Sequence, residues 1–567
     1  MVVSSASANA AVTIARPSFG VPEFAEPGGT FRAEVLGSSG LNTNQWAAFL
    51  INDLRTWTGK VERAEYGRYI DNNSTTGYQL TVRVPADISP EVFKLNIQHP
   101  VGGEATNRHA VSIVRSFADD FYILHYADPQ AQTNDATAAS GLTGGNGCIQ
   151  EIYWHTPVFN LINPRFLIDT GDELDNSYVS GAHYEAYKDA MDTLTVPVLV
   201  TRGNNDITAN GSDWQGQIGQ STYSITMGSF YVLMNDYTVN TDYAWLTNNY
   251  ASSFSRTGIT FRLIGQHYYS TNYAFSPHAG QYPDLMLIGH VHSSATIQTT
   301  PYTILRTVHG CDYGKTAMIE LFRGATNWAC PSLTNQPTGT APGGNVIQPV
   351  GDWGGPRLTM ISSLPNDGSA FSNTITIINN IAKRFWDGRV RFLMKHAPLG
   401  YKVGGGVELC EYDYAAGSNT AVLVKVDITS LASTVVSISR VDSDGDGLPD
   451  DWELGYFPSL TNATATSDSD HDGFSDLQEY MADTNPTNGQ SRLAFTAASD
   501  VAGANAFVVR WQSVTSRWYN LWWTSNLFNN FAPLASNLPP DAPENAYTDT
   551  LHGAEGTSFY RVTTQLP

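Results

Sequence analysis

Between residues 121 and 292, five short apolar runs each end in a cluster of Asp, Asn, Gln or His side chains. Phe121–Tyr126 runs into Ala127-Asp128-Pro129-Gln130. Phe166–Ile168 runs into Asp169-Thr170-Gly171-Asp172-Glu173-Leu174-Asp175-Asn176. Val196–Val200 runs into Thr201-Arg202-Gly203-Asn204-Asn205-Asp206, Ile259–Ile264 into Gly265-Gln266-His267, and Leu285–Ile288 into Gly289-His290-Val291-His292. Short apolar runs bounded by turn residues read as buried strands. Between them, Tyr184, Tyr187, Met191 and Leu194 stand at helical spacing and predict an amphipathic crossover. Strands alternating with helices make an α/β layered domain, and strand ends in such a sheet collect at one edge, where ligands bind. Asp128, Gln130, Asp172, Asn204, His267, His290 and His292 are therefore expected to converge. His290 and His292 would face opposite ways along an extended strand; a turn after Gly289 can aim both at one point.

That donor set is oxygen and imidazole, which suits Zn, Mn, Fe or Mg and not soft Cu(I). Two metals about 3.5–4 Å apart need a shared carboxylate. Asp172, flanked by Gly171, is the bridging candidate.

The ordered series resembles the calcineurin-like metallophosphoesterases, whose pattern is D-x-H, G-D-x-x-D, G-N-H-D/E, a later lone His, and G-H-x-H. The matching stretches are Asp128-Pro129-Gln130, Gly171-Asp172-Glu173-Leu174-Asp175, Gly203-Asn204-Asn205-Asp206, His267 and Gly289-His290-Val291-His292, across roughly residues 117–325. The resemblance implies a four-layer αββα sandwich core. It also implies one metal on Asp128, Gln130, Asp172 and His292, and a second on Asp172, Asn204, His267 and His290. Asp175 would support the ligands from behind. Gln130 stands where the family usually has His, as in branches carrying Ala-Asp-Pro-Gln. Asn205 stands where the family has a phosphate-binding, proton-donating His, as in sphingomyelinase-like members. An amide can bond phosphate but cannot act as a general acid, so His155, His309 or a metal-bound water would have to serve. Arg202 is either a phosphate clamp or a solvated strand-end arginine, and His125 a packed strand residue. The implied activity is hydrolysis of phosphate mono- or diesters by a metal-bridging hydroxide attacking phosphorus, with two transition-metal ions (Mn, Zn or Fe) as cofactors.

A second constellation lies at 442–453 and 468–479. Asp442, Asp444, Asp446, Asp450 and Glu453 occupy positions 1, 3, 5, 9 and 12 of a calcium loop, with Gly447 at the sharp turn and the Leu448 carbonyl at position 7. Asp468, Asp470, Asp472, Phe474, Asp476 and Glu479 repeat the arrangement. These runs resemble EF-hand-type loops and the calcium repeats of thrombospondin and of secreted bacterial proteins. The resemblance implies two Ca2+ sites stiffening a linker. Millimolar calcium outside cells would fill them, which favours a secreted or cell-surface protein.

The rest of the chain divides by pattern. Residues 1–12 read as a disordered N-terminus, 13–116 as an immunoglobulin-like β-sandwich, and 117–330 as the α/β domain. Residues 331–440 open with a Pro/Gly-rich linker and read as a β-rich extension or domain. Then come the calcium loops (441–486) and a C-terminal β-sandwich (487–567). The 53 acidic residues against 31 basic give a net charge of -22, which argues against general nucleic-acid binding; eleven of those acids sit in the two calcium loops. No apolar run of 18 residues exists to span a membrane. The first residues, MVVSSASANAAV, lack the basic and apolar regions of a signal peptide, so either a leader was trimmed or the protein is cytosolic. Cys148, Cys311, Cys330 and Cys410 are too scattered for a disulfide framework, although Cys311 and Cys330 could close a loop. Two non-enzymatic readings stand beside the hydrolase: a surface or adhesion protein that kept its metal ligands, and a glycan binder using Trp511, Trp518, Trp522 and Trp523. Substrate and oligomeric state are not set by the sequence.

Overall fold

The computed structural model describes residues 12–70, 75–118, 120–130, 149–174, 181–207, 212–237, 243–269, 281–291, 295–298, 302–307, 317–321, 328–329, 358–381, 383–501 and 504–565. The molecule is multidomain and built mostly from sheets. No described helix is long and apolar enough to cross a membrane.

Eight strands between Thr13 and Ile113 hydrogen-bond in one continuous order. The expected sandwich would have two separate sheets. A 15-residue strand, Thr56–Ile70, joins them: its first residues pair with Ala47–Ile51 and the rest with Thr75–Arg83. Inward side chains from both halves, Val35 and Leu80 from one, Leu50 and Ile97 from the other, share a single core.

Two sheets carry the strand-end clusters. In the first, Val198–Val200, Leu167–Asp169 and Phe121–Tyr126 run parallel, and Ala317–Leu321 returns antiparallel beside Phe121–Tyr126. In the second, Phe230–Asn235, Phe261–Gln266, Leu285–Ile288 and Thr303–Arg306 run parallel. Strand alternation sorts the side chains between cores. Tyr122, Leu124 and Tyr126 pack with Ile152 and Phe159 of helix Ile149–Ile162 and with Tyr184 and Tyr187 of helix Gly181–Met191. Ile123, Ile168 and Leu199 face Val232, Leu263 and Leu287 of the second sheet. Leu233, Ile264 and Met286 pack with Tyr250 of helix Tyr243–Ser255. The crossover expected over 184–194 spans Gly181–Met191. Helices 149–162 and 243–255 are not legible in the sequence: the first holds Pro157, and the second is rich in Asn, Ser and Tyr.

Beyond the α/β part, a four-stranded and a three-stranded sheet lie between Leu358 and Arg440. They do not stand apart. Ile375, Val390, Phe392 and Val424 belong to the same core as Tyr122 and Phe159, while Tyr412, Ala421 and Leu423 join the core of the N-terminal strands. Two short helices, Asp450–Tyr456 and Asp476–Ala482, close the acidic loops and share a small core through Trp452 and Tyr480. Two three-stranded sheets finish the chain, with Trp511 fully buried between them.

Candidate metal centre

Backbone pairing continues past the strand ends and draws the clusters together. The Asp128 N–H donates to Gly171 O at 2.9 Å, Gln130 N–H to Asp172 O at 2.9 Å, and Gly289 N–H to His267 O at 2.9 Å. Side chains converge on the same point. His267 Nε2 lies 3.2 Å from Asp172 Oδ2, 3.9 Å from Asp128 Oδ1, 3.0 Å from Asn204 Oδ1 and 3.2 Å from His290 Nδ1. The opposite ring atom, His267 Nδ1, is 3.0 Å from the Thr170 carbonyl, which fixes the ring's orientation. One ligand atom each from Asp172, His267 and His290 falls within 4.8 Å of the others.

Two features set this edge apart from ordinary strand ends. Asp128, Gln130, Asp172 and His290 all hold left-handed backbone, with φ of 52°, 43°, 61° and 73°. Such conformations cost a non-glycine residue of order 1 kcal/mol or more each and cluster at functional sites. Close approach is also enforced by absent side chains. A Cβ on Gly203 would lie 2.1 Å from Asp172 Oδ1, and one on Gly289 would lie 2.6 Å from Asp128 Oδ2.

The turns are held from beneath by Asp206. Its Oδ2 accepts from the N–H groups of Asp172 (2.9 Å) and Gly203 (2.9 Å), and its Oδ1 from Leu174 (3.2 Å). One buried carboxylate thus ties the second cluster to the third. Asp169 accepts from Tyr187 Oη at 2.9 Å, and Glu173 is wholly buried beside them. Burial, then neighbouring carboxylates, pushes the acids of Asp169, Glu173 and Asp206 upward. For His267, burial opposes the charged ring, but the Asp172 hydrogen bond and the charges of Asp172, Asp128 and Asp206 outweigh it and lift the imidazole to about 9. The cluster is acidic and stabilises positive charge at its centre. Oxygen and imidazole donors turned onto one another in that field fit divalent cations.

Of the expected ligands, Asp128, Gln130, Asp172, Asn204, His267 and His290 are brought to this edge. His292, Asp175 and His309 lie outside the described residues, as do the His155 side chain and Cys148, Cys311 and Cys330; Cys410 is a free, half-buried thiol. Asn205 is beside the centre: its N–H donates to Asp172 Oδ1 at 2.7 Å, and its side-chain carbonyl accepts from Asn204 Nδ2 at 2.9 Å. Arg202 needs correcting. It is neither solvated nor open to phosphate but buried, its guanidinium 2.7 Å from the fully buried Asp236 carboxylate. His125 is packed, bonded to Thr170 Oγ1 at 3.1 Å, and burial lowers its pKa to about 3. Sequence reasoning placed Asp206 in the third cluster but did not foresee its bracing role. The signal was available: an acid three residues after a glycine at a strand end.

In the calcium-type loops, Asp442, Asp444 and Asp446 form one carboxylate group and Asp468, Asp470 and Asp472 another. Asp442 accepts from Gly445 and Gly447 N–H, Asp468 from Asp472 and Gly473 N–H, and Asp446 and Asp472 from the N–H groups of Leu448 and Phe474. Asp450 and Asp476 differ from expectation. Both are buried and turn back to brace the loop, Asp450 accepting from Ser443 and Asp476 from Ser467 and Ser469. Among the described residues, neither oxygen of the fully buried Glu453 has a hydrogen-bond partner, nor has Glu479 Oε2. Burial and the loop carboxylates raise both acids to about 7.

No protein-family model and no curated protein matches the chain. Among solved structures it is similar to a dimetal phosphatase from Danio rerio, at 12% identity over 36% of this chain and 93% of that one, with a TM-score of 0.25. An archaeal phosphodiesterase matches at 15% identity over 37% and 97%, TM-score 0.20. Zinc-bound Vps29 from Entamoeba histolytica matches at 12% identity over 46% and 92%, TM-score 0.17. The first two neighbours are a phosphatase and a phosphodiesterase by name, and the three matches cover between 36% and 46% of this chain.

Proposed function

We propose that the α/β part is a metal-dependent phosphoester hydrolase, its two sheets and flanking helices forming the αββα core that the sequence resemblance implies. The observation that supports it most is the convergence of Asp128, Asp172, Asn204, His267 and His290, from five strand ends, on a cluster that favours positive charge. Asp172 is the natural shared ligand: its Oδ2 faces His267, and its Oδ1 accepts from Asn205. His267, His290, Asn204 and Asp172 would hold one cation, and Asp128, Gln130 and Asp172, with His292, another. Bound cations supply Lewis-acid polarisation of the phosphoryl group and a lowered pKa for water.

The chain's own residues do the rest. Thr170 O and Asp206 fix the His267 ring and the Asp172 turn, so the ligands need no rearrangement when substrate arrives. The Asn205 amide can donate to a phosphoryl oxygen, orienting the ester without delivering a proton. Hydrolysis of aryl phosphate mono- and diesters with Mn, Zn or Fe added tests the assignment. Turnover that tracks metal content and vanishes in Asp172→Ala supports it. No turnover with any metal-ester pair, in protein shown to bind metal, would favour the non-catalytic surface-protein reading instead.

We propose as a second function that the loops at 442–453 and 468–479 bind calcium. The buried carboxylate of Glu453, with both oxygens unpaired among the described residues, and the unpaired Oε2 of Glu479 favour it, since such groups are costly without a cation. Calorimetric titration with calcium, showing two sites that Glu453→Gln and Glu479→Gln each reduce to one, tests it.

A further inference from the structure

The phosphoryl group is common to all phosphate esters, so discrimination among them falls to whatever touches the alcohol part. Beside the candidate ligands stand two tyrosines. Tyr237 follows strand Phe230–Asn235 by two residues, and Tyr268 follows His267 directly. Both rings pack on the imidazoles. Tyr237 stacks on His267, with ring centroids 6.1 Å apart and 22° between the planes. Tyr268 meets His290 edge to face at 4.6 Å, and the two tyrosine rings lie 5.8 Å apart. His267 is fully buried, whereas Tyr237 and Tyr268 are only half-buried, so the phenol rings form the outer layer of this aromatic cluster. Val291, next after His290, adds an exposed apolar side chain.

Buried polar groups hold the pair in place. Gln266 Nε2 donates to the Tyr268 carbonyl at 2.8 Å, and Asn235 Nδ2 donates to Gln266 Oε1 at 2.9 Å; both amides are buried. The Asp236 N–H donates to Thr222 Oγ1 at 3.0 Å, and its carboxylate takes Arg202 at 2.7 Å. Each tyrosine thus adjoins a residue fixed from within the sheet. Aromatic rings held this way suit a planar aromatic group, by offset stacking or edge-to-face contact.

We propose that Tyr237 and Tyr268 form the specificity wall of this site, receiving the alcohol part of the ester and favouring aromatic alcohols over alkyl ones. The proposal rests on the hydrolase reading for its substrate, but recognition is measured apart from turnover.

The test titrates the full-length, metal-loaded protein calorimetrically with phenylphosphonate and with methylphosphonate, whose carbon–phosphorus bonds resist hydrolysis. The parent should bind the phenyl compound ~10-fold more tightly, the order expected of aromatic contact. Tyr237→Ala and Tyr268→Ala should each reduce that ratio, while Tyr237→Phe and Tyr268→Phe keep it. Tyrosines that only prop the imidazoles would give a different result: the Ala variants would weaken both phosphonates alike, with the ratio unchanged, and that would overturn the proposal. So would a parent that binds the two equally, or binds neither. If an Ala variant loses its fold or its metal, Tyr237→Leu and Tyr268→Leu decide, because they keep apolar bulk without an aromatic face. A ratio that persists in both Leu variants counts against the wall, and one that falls supports it. A parent that prefers phenylphosphonate yet cleaves no aryl phosphate would sink the hydrolase reading and leave the wall standing.

Discussion

Asp172 carries more of the candidate site than any other residue. Its left-handed backbone aims one oxygen at His267 and the other at the Asn205 N–H, and Asp206 pins its own N–H. Asp172→Ala should therefore abolish turnover, by about 10³-fold or more, and lower the metal content measured by elemental analysis. Gly203→Ala tests the same point without touching a ligand. The added methyl would sit 2.1 Å from Asp172 Oδ1, so metal content should fall while the spectroscopic signature of folded sheet persists. Asn205→His would place a proton donor next to the centre. It should speed hydrolysis of esters with poor leaving groups more than activated ones, and equal rates on both would show that leaving-group protonation is not limiting. At this scale the sequence was informative because metal chemistry restricts residue type. Asp, Asn and His after glycine at successive strand ends have few other uses. Arg202 was misread because nothing near it in sequence announced Asp236, which reaches it from the end of strand Phe230–Asn235.

The two acidic loops combine carboxylates that lie together with carboxylates that brace the turn. The carboxylates at 442, 444, 446 and at 468, 470, 472, which the spacing singles out, lie together in two groups. Spacing alone does not show that Asp450 and Asp476 spend their oxygens on Ser443, Ser467 and Ser469, serines that the pattern ignores. Glu453 and Glu479 yield a pH prediction. Their acids rise from 4.5 to about 7 without cation. The folded form then holds protons more tightly than the unfolded chain. Stability from this source is fully present below about pH 4.5 and is lost as pH rises through about 7. In chelator, segment 440–490 should resist protease better at pH 5 than at pH 8. Saturating calcium should remove that difference, and an unchanged pH profile with calcium would contradict the assignment. Helices 149–162 and 243–255 escaped notice for a different reason. Their polar, β-branched and proline-containing sequences have weak helical propensity, and packing onto the sheets overrides it.

At the scale of the whole molecule, Arg389 ties several parts of the chain together. It is buried in strand Phe385–Lys395 and donates to Pro90 O at 2.6 Å and to Thr195 O at 2.9 Å, linking the N-terminal strands, the α/β part and the sheets after Leu358. Nearby, Arg115 reaches Asp387 at 2.6 Å and Arg391 reaches Asp53 at 2.8 Å. Arg389→Ala should leave buried carbonyls unbonded and cost about 3 kcal/mol, read as a lowered midpoint in denaturant with no change in metal content. Such cross-links are invisible in sequence because their partners lie far apart, Arg389 being 194 residues from Thr195 and 299 from Pro90. Pattern reading marks where strands begin and end. It does not say which surfaces they will share.

That sharing has a practical corollary. Phe392, Val424 and Ile377 lie in one oily interior with Tyr122, Phe159 and Tyr187, so the α/β part is no detachable cassette. Excised at its apparent borders, or grafted onto another polypeptide, it would bare a greasy flank and clump, and anyone trimming the gene for expression should keep the stretch through Arg440.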